Sequence, residues 1–163
     1  MLPDDALTLI SVQERSYSEG GPGILESYPK NPSMDAERIT SFLQGKKYAV
    51  LATSRPDGRP QAAPIAFTVW KAAFWIASVK GARVRNLRFK PYASIVVIEG
   101  EGKAHRAVIA EGPVKLHPAA ELLETQKVFA ELWQRRNDSP PTWAYVFIEL
   151  RPERLFSYDV KGK

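Results

Sequence analysis

Apolar and polar positions follow two different periods along this chain, and the changes of period divide it into elements. Before residue 34 neither period is sustained: short apolar pieces broken by Gly20-Gly-Pro-Gly23, Pro29 and Pro32 read as an arm, residues 1–33, ahead of a main domain at 34–163. Ile39, Phe42 and Leu43 then recur at helical spacing, with Ser33 or Asp35 as cap and Gly45 as stop. Residues 47–54 are apolar and β-branched, as in a strand. Arg55-Pro-Asp-Gly58 is a turn, because Pro presets φ, Asp bonds its own backbone and Gly accepts positive φ. Further strands are expected at 61–69 and 74–79, joined by a reversal at Lys71-Ala72, so two successive hairpins predict an antiparallel meander.

Residues 80–90 predict one or two helical turns, with Val84 and Leu87 facing inward and Pro91 as terminator. A nearly all-apolar central strand follows at 92–99, and Gly100-Glu-Gly102 reverses the chain into a strand at 106–116. Pro118 suits the first turn of a helix whose Leu122, Phe129, Leu132 and Trp133 share a face, and Asn137-Asp-Ser-Pro-Pro141 breaks it. A last strand pair, 143–150 and 154–158, is separated by Arg151-Pro152. About seven strands with two or three short helices predict a mainly β domain, a closed or partly closed antiparallel barrel, since closure removes exposed edges.

Composition narrows the chemistry. At 163 residues, 44% hydrophobic and 25% charged, the chain is an ordinary single globular domain. No apolar stretch is long enough to cross a bilayer, and the first residues carry acids where a secretory signal carries bases. With no cysteine there is no disulfide, thiol chemistry or Cys-ligated metal, and a cytoplasmic protein without membrane association is expected. His105 and His117 lie twelve residues apart with no carboxylate at ligand spacing, so no metal site is expected. Glu99 and Glu101 fall in a hairpin turn, where water keeps them ionised. Nucleophile-elbow, Walker and dinucleotide glycine patterns are absent.

Charge is unevenly placed. Residues 58–98 contain no Asp or Glu but seven Lys or Arg, five of them within residues 80–90, whereas the chain as a whole is only +5. Two readings are open: a solvated basic helix, or a site for a phosphate-bearing ligand at a strand-to-helix junction. In Ser78-Val-Lys-Gly-Ala-Arg83 a hydroxyl, two cations and the free amides of a helix start offer charge-assisted hydrogen bonds, and Gly81 admits close backbone approach. Upstream, Pro64 interrupts the ladder of Ala62-Ala-Pro-Ile-Ala-Phe67, either to free backbone groups for a flat heterocycle or merely to mark an edge strand.

Taken in order, Ala49-Val-Leu-Ala-Thr53, Asp57-Gly-Arg-Pro60, Ala63-Pro-Ile-Ala-Phe67, Phe74-Trp-Ile-Ala-Ser78, Arg83-Val-Arg-Asn-Leu87, Pro91 and Ala110-Glu-Gly112 resemble the pyridoxamine-phosphate-oxidase-like flavin-binding split barrels over about residues 34–160. The resemblance implies an antiparallel six- to seven-stranded split β-barrel, a homodimer with FMN at the interface. Pro64, Ile65, Ala66 and Phe67, with Ile76, Ala77 and Ser78, would border the isoalloxazine and ribityl chain. Lys80, Arg83 and Asn86 would lie near the phosphate, with Arg85 as a further cation. The second subunit would add Trp143 or the Trp133 region.

The implied activity is an FMN-dependent oxidoreductase acting on a small molecule, with no catalytic side chain required because the redox chemistry belongs to the cofactor. The carboxy-terminal substrate-binding arginine-histidine pattern of true pyridoxamine-phosphate oxidases is not recognisable, which leaves their vitamin substrate unsupported here. Alternatives are a reductase using the deazaflavin coenzyme, whose tail would meet Arg88 and Lys90, or a flavin carrier or sensor without turnover; other relatives bind haem. A nucleic-acid-binding barrel, suggested by Phe89 and Tyr92 among the basic residues, is the reading from outside the redox class; nucleic acid is not an expected partner.

Overall fold

Phe67 is the residue on which this fold turns. It separates β2 (Pro60–Ala66) from β3 (Thr68–Trp70), yet these two strands lie at opposite ends of the sheet order. The structure, a computed structural model, describes residues 1–28, 33–101, 104–137 and 141–160. Its remaining strands are β1 (Tyr48–Ser54), β4 (Ala73–Ser78), β5 (Tyr92–Glu101), β6 (Ala104–Pro118), β7 (Val146–Leu150) and β8 (Arg154–Val160). They form one antiparallel sheet in the order β2-β1-β5-β6-β7-β4-β3, with β8 also paired to β6. One residue cannot span a flat sheet, so the sheet curls until its two edges meet: this is the partly closed antiparallel barrel that the strand pattern predicts and the split barrel that the resemblance implies.

The 61–69 strand is therefore two strands, and the expected meander is two hairpins, β1–β2 and β3–β4, at opposite ends of the order. Likewise β7 and β8 do not pair with each other; β7 bonds β4 and β6, and β8 bonds β6. Strand β6 serves both halves, through 104–113 against β5 and 114–118 against β7. Its bend needs Gly112, where a Cβ would collide with the Arg151 carbonyl oxygen.

Leu51, Ile65, Phe67, Phe74, Ile76, Ile95, Val108 and Leu155 fill the barrel. Helices α1 (Pro3–Glu19) and α3 (Ala36–Gln44) join this core through Leu9, Val12, Ile39, Phe42 and Leu43, while α2 (Pro22–Ser27) buries no residue. Asp35 caps α3 by accepting the Arg38 N–H at 2.9 Å, as expected. The expected amino-terminal arm is thus largely helical and docked on the barrel. Ser16 Oγ accepts the Leu155 N–H at 2.9 Å, and Gln13 bonds both Ser157 Oγ and the Met34 carbonyl.

A second apolar layer covers the other face of β4 and β7. The single helix expected after Pro118 is broken at Gln126 into α5 (Ala119–Thr125) and α6 (Lys127–Asn137). Together they cover Trp70, Trp75, Ala77 and Phe147 with Phe129 and Trp133. The sequence break at 137–141 extends into residues outside the described set, as does the reversal at Gly102. Arg136 closes the seam between layers: its guanidinium donates to the carbonyls of Phe67 at 2.9 Å, Leu43 at 2.7 Å, Gln44 at 3.1 Å and Lys46. Among the described residues no helix is long and apolar enough to cross a membrane.

Candidate functional site

Helix α4 (Ala82–Phe89) forms because Val84 and Leu87 bury one face on the barrel, and it stops ahead of Pro91. Its N-cap is Gly81, which supplies no side-chain oxygen, so the first backbone N–H groups have no capping partner. The helix is held to the β1–β2 hairpin by Asn86, whose amide donates to Thr53 Oγ1 at 3.1 Å and to Gln61 Oε1 at 2.7 Å. Thr53 and Gln61 face each other in the ladder, as do Leu51 and Ala63 one step along the same face.

These elements enclose a cleft of about 180 Å³, lined by Leu51, Thr53, Gln61, Ala63, Ser78 and the start of α4 through Arg83. Arg83 is half-buried and, among the described residues, has no carboxylate partner. Burial lowers its pKa from the ordinary value, though a guanidinium stays charged at neutral pH. An uncompensated, partly desolvated cation beside free helix N–H groups is an anion site by its chemistry. Ser78 is buried, and its hydroxyl donates to the Val79 carbonyl at 3.2 Å. The small residues Ala63, Gly81 and Ala82 keep the floor open.

Of the residues expected at the site, the structure brings Ser78 and Arg83 together in this cleft, with Asn86 bonded to two of its lining residues. The expected stretch of β2 lies further along the strand. Pro64 and Ala66 pair with Val50 and Tyr48 and are on the outer face, whereas the Ile65 and Phe67 side chains are in the barrel core. Pro64 sits on an edge strand, where its missing N–H leaves no ladder bond unmade. Ile76 faces the core and Ala77 the aromatic layer. Lys80 and Arg85 are exposed, and Lys80 lies 5.9 Å from the Tyr145 ring centroid. Trp143 is exposed and Trp133 is buried in the aromatic layer.

Leu51, Thr53 and Gln61 were not read as site residues from sequence; with Ala63, from the stretch singled out there, they face the cleft through the inward phase of β1 and β2, a signal present in the alternation once the register is known. Tyr145 was also missed. Its N–H donates to the Ser78 carbonyl at 2.9 Å, and its hydroxyl accepts from Arg88 at 3.1 Å. The hydrogen bond from Arg88 lowers the phenol's pKa from its ordinary value.

Residues 36–159 match the family model described as pyridoxamine 5'-phosphate oxidase. The chain is similar to the solved structure of a conserved hypothetical protein from Mycobacterium tuberculosis, at 24% identity and a TM-score of 0.63 over 77% of this chain and 85% of that one. It is also similar to a FAD-binding protein from Mesorhizobium loti, at 21% identity and a TM-score of 0.66 over 80% of this chain and 96% of that one. A protein described as an F420 reductase shares 26% identity, with a TM-score of 0.55 over 71% of this chain and 93% of that one.

Proposed function

This chain belongs to the pyridoxamine 5'-phosphate oxidase family, and on that premise we propose that it is an FMN-binding oxidoreductase whose phosphate anchor is the Ser78–Arg83 elbow. The observation that carries this reading is Arg83: half-buried, without a carboxylate partner among the described residues, and placed at the uncapped start of α4. A phosphate monoester fits that donor set. It would take the guanidinium and the first helix N–H groups, with Ser78 adding a donor if its hydroxyl turns away from Val79. When bound, the flavin supplies hydride transfer. Thr53, Gln61 and Asn86 hold the walls in place, and the buried Leu51 and Ser78 exclude water from the inner end.

A cleft of about 180 Å³ is below the roughly 300 Å³ at which ligand pockets begin. In our reading it takes only the phosphate end, and a second copy of the chain completes the ring site. The outer face of β2-β1-β5 supports this, since Tyr48, Val50 and Ile98 are exposed there beside Pro64. Apolar sheet face of this kind is what a two-fold partner buries.

A second reading, the deazaflavin coenzyme, is favoured by the likeness to an F420 reductase and by the exposed cations Arg88 and Lys90 on and just beyond α4. Titration of the purified dimer or monomer with FMN, riboflavin and the deazaflavin coenzyme, followed by fluorescence, tests both. FMN should bind most tightly and riboflavin much more weakly. Tightest binding by deazaflavin transfers the site to the second reading, and no binding of any of the three removes both.

A further inference from the structure

On the face of β4 and β7 turned away from the barrel core, the β3–β4 reversal and the start of α5 enclose a hollow of about 340 Å³. Trp75 lines it, whereas Ser78, three residues along β4, lines the cleft; odd and even positions of a strand point to opposite faces. The strand itself thus separates the two sites. Trp70, Trp75 and Leu122 provide apolar wall. Across them runs a polar trio, with His117 Nε2 2.7 Å from Glu149 Oε2 and Arg151 Nη2 2.5 Å from Glu149 Oε1. The His117 and Glu149 side chains are only 20% and 12% exposed. Glu149 is the desolvated member, with the exposed Arg151 reaching in to it from the rim; apolar residues of similar volume often serve such a buried position as well, so packing alone does not call for the trio.

The backbone supplies a second, independent observation. Lys71 and Ala72, the two residues of the β3–β4 reversal, have φ of 51° and 55°. Two-residue hairpins of this kind favour Asn-Gly, and side chains other than these are strained there. Such strain persists when the surroundings over-determine it, and it concentrates at ligand sites. Here Arg151 Nη1 donates to the Lys71 carbonyl at 3.2 Å, and Asp5 Oδ1 accepts the Ala72 N–H at 2.8 Å. The held turn carries the Lys71 ammonium over the Trp70 ring, 4.4 Å from its centroid, at the rim of the hollow. Among the described residues Lys71 has no carboxylate partner.

We infer that this hollow binds a small aromatic carboxylate, independently of the flavin cleft. Its volume, near the lower end for ligand pockets, admits a single ring with its acid group. Glu149 already pairs with His117 and Arg151, whereas Lys71 has no carboxylate partner among the described residues, so Lys71 is the lining cation whose charge is least compensated before an anion enters. Glu121, the remaining carboxylate in the lining, opposes a second negative charge and so selects a monoanion. The indoles and Leu122 receive the ring.

The test uses the full chain and benzoate, with benzamide as its neutral isostere, read by NMR at the indole N–H signals and at the His117 ring. Benzoate should shift Trp70, Trp75 and His117 and bind at least about tenfold more tightly than benzamide, one charge-assisted contact's worth of discrimination. Lys71→Gly removes the ammonium and relaxes the strained turn, so the protein stays folded while benzoate affinity falls at least about fivefold. Any one of three results overturns the inference: no shift at those residues up to about 10 mM benzoate, shifts confined to Ser78–Arg83, or equal affinities for benzoate and benzamide or for wild type and variant.

Discussion

Asn86 Nδ2 lies 3.1 Å from Thr53 Oγ1, and this contact between α4 and β1 fixes the wall of the candidate phosphate site. Asn86 also holds Gln61, so one buried amide sets two partner side chains. Asn86→Ala leaves the buried Thr53 hydroxyl and the half-buried Gln61 amide without this partner and should destabilise the fold by about 1–3 kcal/mol. Because the walls it loosens belong to the cleft that takes the phosphate end, FMN affinity should fall while riboflavin affinity changes little. Chemical denaturation and flavin titration check the two halves of this prediction.

Arg83→Ala should differ from it in stability. Loss of one charge-assisted hydrogen bond costs about 1.5–3 kcal/mol, roughly a 10- to 150-fold weakening of FMN. Riboflavin, which has no phosphate, should be almost unaffected. Thermal stability should be unchanged or slightly raised, since the guanidinium is partly desolvated without a carboxylate partner among the described residues. Equal loss for both ligands would put the phosphate elsewhere.

Glu149 makes a prediction about acid. Burial raises its pKa, but the hydrogen bonds from His117 and Arg151 outweigh burial, and the net value lies below the ordinary 4.5. A carboxylate depressed on folding contributes stability above its unfolded pKa and loses it as pH falls through the folded value. Melting temperature should therefore drop on acidification below about pH 4.5 in the wild type, and less steeply in Glu149→Gln. Glu99, lowered by hydrogen bonds from Lys46 and Arg106, has the same sign in both proteins and cancels in the comparison. Parallel curves would show that Glu149 makes no such contribution.

Gly112→Ala should be among the most damaging single-atom additions, because the new Cβ meets the Arg151 carbonyl and not a side chain that can move. Backbone would have to shift, at a cost typical of overpacking, about 1–3 kcal/mol. A matched Gly21→Ala, where a Cβ meets nothing, should leave stability nearly unchanged. Urea denaturation of the pair distinguishes them.

Local chemistry is what the sequence settled. The Asp35 cap, the Gly58 turn at φ 86°, the inward Val84 and Leu87, the stop at Pro91 and the mainly β content all follow from neighbouring residues and their periods. The cationic elbow was legible for the same reason: Ser78, Gly81 and Arg83 are close in sequence as well as in space. Helix α1 was hidden because its buried face carries Asp5, Gln13 and Ser16, polar residues whose partners lie far along the chain, in the β3–β4 reversal and on β8. Register and closure were decided only in three dimensions. A one-residue phase difference along β2 puts Gln61 and Ala63 in the cleft and Pro64 on the outer face, and period-two alternation alone does not say which face is which. The joining of β2 to β3 through Phe67, the His117–Glu149–Arg151 trio and the seam under Arg136 all depend on long-range pairing, which no short window of sequence contains.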